Sequence, residues 1–185
     1  MKIKLMIAAA ATALAAEAAS AQVFVIGNGL GGECYQKTKS KFYASRDAEK
    51  VCTRALKEQP MTRTNRAATL VNRGVIRMRD GRYDEALSDY GEAIELDDDL
   101  GAAFLNQGAA FIYVQDYASA IDSLDRAIEL DSNDLFAAYY NRAIAKESTD
   151  DVTGAYYDFQ KSLELNPDWE LAARQLDRFR IEENG

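Results

Sequence analysis

Beyond position 66, apolar residues return at intervals of three and four, the spacing that lines one face of an α-helix. Leu70, Val71, Val75 and Met78 form one such stripe, Gly81 interrupts it, and Ala86, Leu87, Tyr90, Ala93, Ile94 and Leu96 form the next. Phe104, Leu105, Phe111 and Ile112 restate the first stripe, and Ala120, Ile121, Leu124, Ala127 and Ile128 restate the second. The recurrence has a fixed period: Arg82 to Leu87 aligns with Asp116 to Ile121, and Glu92 to Asp97 with Arg126 to Asp131, both at a shift of 34. Lys161 to Pro167 closes a third copy, displaced by 35 through one extra residue near Leu135. The pattern predicts helix pairs over 67–100, 101–135 and 136–169. One pair cannot bury its own apolar face, so stacked neighbours share a continuous core. Small residues at Gly74, Ala86 and Ala93, and again at Gly108, Ala120 and Ala127, let the paired helices approach closely.

The flanks read differently. Ala48, Cys52, Ala55 and Pro60 sit at the spacing of a repeat's second helix, which predicts a degenerate helix pair within 33–66. After the third unit, Trp169, Ala172, Ala173, Leu176 and Phe179 form one stripe of an otherwise charged segment, expected as a capping helix and tail over 170–185. At the other end, Lys2 and Lys4 precede a small and apolar run from Leu5 to Ala16, and Ala19-Ser20-Ala21 supplies a cleavage pattern. Residues 1–21 are therefore expected to be a signal peptide, with Gln22 as the new N-terminus and the periplasm or exterior as destination. Between leader and helices, 22–32 carries Val23 to Ile26 and then a G-x-G-x-x-G string from Gly27 to Gly32. A dinucleotide site needs those glycines inside a βαβ unit. No second strand follows, so the segment reads as a flexible glycine-rich lead-in.

The repeated units resemble the tetratricopeptide repeat family. Its pattern of W-x2-L-G-x2-Y, then A-x3-F, then P maps onto Leu70, Gly74, Ala86 and Tyr90; onto Phe104, Gly108, Phe111, Ala120 and Leu124; and onto Tyr139, Ala143, Ala155, Phe159 and Pro167. Two departures stand out: the leucine position holds Arg73, Gln107 and Arg142, and the third turn replaces glycine with Ser148 to Asp151. The resemblance implies an all-α, helix-turn-helix solenoid of three repeats, with the degenerate pair and the capping helix at its ends. It also implies that the first helix of each repeat faces a concave groove, which places Val71, Val75, Leu105, Ala109, Ile112, Tyr113, Tyr140 and Ile144 on or near it. Asn72, Asn106 and Asn141 recur at the sixth position of every unit, and each offers a donor and an acceptor to the main chain of an extended peptide. They serve equally well as local ties to the adjacent loop. The implied role is protein or peptide binding. The alternative is a structural, self-assembling envelope subunit, and a carboxylate-based enzyme is the remote third.

Composition narrows these readings. The chain has 185 residues, a net formal charge of -8, two cysteines and no histidine. An acidic balance disfavours nucleic acid and anionic lipid, which require Lys and Arg in excess on some face. No stretch approaches the roughly 20 apolar residues of a membrane span. In an exported chain the pair Cys34 and Cys52 is expected to be bridged, closing a loop of about 19 residues worth about 3 kcal/mol in the chain-entropy account. Without histidine, and with the thiols paired, nucleophilic and acid-base catalysis lack their usual groups, so no enzyme is expected. Asp97 to Asp99 and Asp150-Asp151 fall at turns and helix starts, where solvation and capping account for them. They lack calcium-loop spacing, so neither metal nor cofactor is expected.

Overall fold

The computed structural model describes residues 2–5, 23–25, 29–40 and 45–182. Among them the architecture is all-α: α1 (Leu30–Lys39), α2 (Ser45–Glu58), α3 (Arg63–Arg79), α4 (Tyr83–Leu96), α5 (Gly101–Tyr113), α6 (Tyr117–Glu129), α7 (Leu135–Ser148), α8 (Val152–Leu165) and α9 (Glu170–Leu176). The only departure among these residues is one antiparallel strand pair, β1 (Lys2–Leu5) with β2 (Phe179–Glu182). Successive helices pack on one another, and the first helices of the repeats, α3, α5 and α7, also neighbour each other. The expected cleavage site at Ala19 to Gln22, and Gly27 with Asn28 in the glycine string, lie outside the described residues.

Each repeat turns its chain in the same way. The second residue after the first helix takes positive φ, at 73° in Gly81, 63° in Gln115 and 64° in Asp150. The next N–H then reaches back five residues, from Arg82 to Arg77 O, Asp116 to Phe111 O and Asp151 to Lys146 O, each at 2.9 Å. This is the Schellman stop, and only its first copy uses glycine. The missing glycine of the third turn is thus replaced by an aspartate, a residue type that tolerates the left-handed region better than most. Asp116 and Asp151 then cap the following helices, accepting from Ser119 N–H at 3.2 Å and Gly154 N–H at 2.9 Å.

Within a repeat the two helices meet over a small residue. A Cβ on Gly74 would run into the Tyr90 ring, and one on Gly108 would stand 2.5 Å from Leu124 Cγ. The irregular leucine position is also explained. Arg73 pairs with buried Asp89 at 2.6 Å and Arg142 with buried Asp158 at 2.7 Å, while in the middle repeat Ser123 Oγ donates to Gln107 Oε1 at 3.1 Å. Every partner lies sixteen residues on, in the repeat's second helix.

The C-terminal segment departs from the single stripe read over 170–185. Helix α9 stops at Leu176, and Phe179 begins a strand. Phe179 and Ile181 alternate with Arg180 and Glu182, a period of two rather than 3.6. The cap itself rests on Trp169, which meets Phe136 edge-on at 4.7 Å and Tyr140 at 4.6 Å. Arg178 bonds Glu147 and Gln175, tying the turn after α9 back to α7.

Candidate peptide-binding face

Helices α3, α5 and α7 each carry the recurrent asparagine among buried residues, and all three side chains are buried. Their bonding differs. Asn72 Oδ1 accepts from the Val23 N–H at 3.1 Å, and its Nδ2 donates to the Val23 carbonyl at 2.8 Å. Asn106 Nδ2 donates to Ala102 O, one turn back, at 2.8 Å. Neither the oxygen nor the nitrogen of the Asn141 amide has a hydrogen-bond partner, although the side chain is 0% exposed. A buried amide left without partners is costly, so this position differs in kind from the other two.

The apolar positions read with them divide into two groups. Val71, Val75, Leu105, Ala109, Ile112 and Tyr140 are buried. Leu105 and Ile112 belong to the core shared with α6 and α7, and Tyr140 to the core shared with α8 and α9. Tyr113 and Ile144 are half-buried. Tyr113 stacks on Tyr83 at 4.8 Å with an interplanar angle of 10°.

Residue-by-residue reading missed the partner of Asn72. Val23 lies 49 residues away, in the segment read as a flexible lead-in. The sequence offered only an unbroken apolar run, Val23 to Ile26; in the structure Val25 is buried, while Phe24 is exposed and meets Tyr35 edge-on at 5.3 Å. Below this segment Cys34 in α1 and Cys52 in α2 are bonded, with Cα atoms 4.7 Å apart, in a small buried cluster with Ala48 and Ile76.

Charged groups are gathered between helices. Glu49 of α2 accepts from Arg82 at 2.6 Å and Arg77 at 3.0 Å. The Arg82 hydrogen bond, with help from Arg77 and against burial, holds the Glu49 carboxyl below the usual glutamate range. Burial pushes the Asp89 carboxyl up, against the pull of Arg73 and Arg77. Burial opposes the charge on Arg142, but its bonds to Asp158 and Asp125 win and raise its pKa above the ordinary arginine value. Among the described residues no cluster of three or more His, Cys, Asp or Glu is placed to hold a metal ion, and no helix is long and apolar enough to cross a membrane.

Repeated helix pairs, a common turn and paired small residues define a helical-repeat solenoid. Residues 65–133 match the tetratricopeptide repeat family, so this part of the chain carries tetratricopeptide repeats. The Protein STIP1 homolog of Dictyostelium discoideum is 43% identical over 67 residues, 36% of this chain and 12% of that protein. Peptidyl-prolyl cis-trans isomerase FKBP4 of Homo sapiens is 29% identical over 119 residues, 56% of this chain and 26% of that protein. The chain thus corresponds to a small part of these relatives. A crystal structure of MamA superposes with a TM-score of 0.66 at 23% identity, covering 82% of each chain. The first TPR of Spaghetti (RPAP3), bound to the HSP90 peptide SRMEEVD, superposes with a TM-score of 0.59 at 24% identity, covering 62% of this chain and 90% of that one. Likeness at this level shows the fold.

Proposed function

We propose that this chain is an exported scaffold whose α3, α5 and α7 hold an extended segment of a partner protein, without catalysis. The observation that carries the reading is the two-bond pairing of Asn72 with the main chain of Val23. One side-chain amide engages both the donor and the acceptor of one residue, a mode that grips any extended backbone without reading its side chain. Asn106 and Asn141 stand at the same position in the next two repeats. Of the apolar side chains beside them, the half-buried Tyr113 and Ile144 would choose among sequences, whereas Val75 and Ala109 are buried in the core.

The RPAP3 domain in the comparison carries a peptide ending in two glutamates, a valine and an aspartate. The positions named on this face hold no lysine, and the chain's net charge is -8. The partner segment proposed here is accordingly neutral or apolar rather than acidic. Export follows from Lys2, Lys4, the apolar run and the small residues before Gln22. Cleavage there would remove β1 and leave β2 without its partner strand.

In-cell photocrosslinking tests this reading. A photoreactive residue at Tyr113 is expected to capture a partner protein, and one at the exposed Asp122 of α6 is not. Adducts from Asp122 alone would move the interface off this face. A dilution series by light scattering distinguishes the self-assembling alternative, whose mass changes with no partner added.

A further inference from the structure

The Asn72 position is occupied, and its occupant belongs to the same chain. Val23 exchanges both main-chain bonds with the Asn72 amide and packs against the cluster that contains Leu70 and Val71. Phe24 is 63% exposed, and Val25 turns back inward to 5%. The in-out-in order is that of a strand lying on a surface. The glycine string then acquires a local purpose. A Cβ on Gly31 would stand 3.1 Å from Val25 Cγ1 and 3.2 Å from Met61 Cε, so a side chain there would push Val25 or Met61 back by a few tenths of an ångström. Gly31 N–H donates to Gln59 Oε1 at 3.0 Å, which fixes the start of α1 against the end of α2. Five contacts of different kinds therefore hold three residues: two hydrogen bonds at Val23, the packing of Val23, the ring contact at Phe24 and the seat of Val25.

At the opposite end of the same row, Asn141 is buried and bonded to nothing. The row thus has one asparagine paired to a main-chain N–H and carbonyl and one whose amide bonds neither.

We propose that Val23–Val25 is a tethered self-ligand: a strap that docks on Asn72 and must be displaced before a partner's extended segment can engage the whole row. The clause about displacement rests on the peptide-binding reading above; the docking of the strap does not. A ligand that binds only the open form has its apparent affinity reduced by the fraction of molecules that are open. A strap docked in nine molecules of ten weakens an incoming segment about tenfold.

Amide exchange measured by NMR on the full chain tests the docking. The Val23 N–H is expected to exchange about tenfold or more slowly than in a free peptide of residues 22–30, a change on the scale of one hydrogen bond. Asn72→Ala should return it to the free-peptide rate while the amides of α5 keep their protection. Val23→Pro removes the donor and leaves the repeats untouched. This variant should bind a fluorescent synthetic peptide of residues 22–30 about tenfold more tightly than the wild-type chain does. Free-peptide exchange of Val23 in the wild-type protein, or equal peptide affinity of wild type and Val23→Pro, overturns the strap. If Val23 is protected yet neither protein binds the peptide, the strap stands as an intramolecular dock and it is the peptide-binding reading that falls.

Discussion

The seventh position of each repeat shows what a single side chain can and cannot reveal. Arg73, Gln107 and Arg142 stand where the family pattern has an apolar residue, and Asp89, Ser123 and Asp158 change with them sixteen residues on. The departure was plain in the sequence. Its compensation was not, because the partners sit on different helices and only comparison among the three repeats links them. Asp158 is engaged by both Arg142 and Lys146. Removing one member of a buried pair leaves the other charge uncompensated, so Asp158→Ala should cost about 3 kcal/mol in urea unfolding. The double change Arg142→Met with Asp158→Leu should recover most of that loss, since apolar replacement of a buried pair is often neutral or better. A second residue-scale expectation concerns acid. The folded pKa of Glu49 lies below its unfolded value, so its contribution is full at neutral pH and is lost as the pH falls through the folded value. Wild type should then be more stable than Glu49→Gln at pH near 7, and the two urea midpoints should converge below the ordinary glutamate range.

At the scale of elements, helix pairs and their registers were legible because a 34-residue period supplies three readings of one pattern. The third turn looked irregular only because glycine was taken as the mark of the stop. The physical requirement is positive φ, which Gln115 and Asp150 also meet. Nothing stands within 4 Å of a Cβ at Gly81, so the effect of a side chain there is purely conformational. Gly81→Ala should therefore destabilise by about 1 kcal/mol, read as a shift in urea midpoint with an unchanged slope. The end of the chain was read less well. Ala172 and Leu176 suit a helix, and Phe179 falls at a helical interval from both. The strand it enters depends on pairing with Lys2–Leu5, a contact across almost the whole chain that no local period can signal.

For the molecule as a whole, the expected leader and the proposed groove are linked by the segment between them, Val23–Val25. The face of α3, α5 and α7 was placed from the family geometry. That the chain's own Val23 lies on it was hidden, because a short apolar run beside glycines looks the same whether it is docked or free. Export carries its own check: protein recovered outside the cytoplasm should begin at Gln22 and titrate no free thiol when denatured without reductant. Met1 at the N-terminus, or two reactive thiols per chain, would contradict it. The central claim is that the asparagine row grips extended main chain, and Asn141 allows the most direct test. Its amide bonds nothing within the protein, so Asn141→Ala breaks no internal hydrogen bond and should leave the melting temperature unchanged or higher. Calorimetry with the crosslinked partner's segment should show affinity weaker by about 1 to 3 kcal/mol in this variant. Equal affinity in the two proteins, with the fold intact, would contradict the claim.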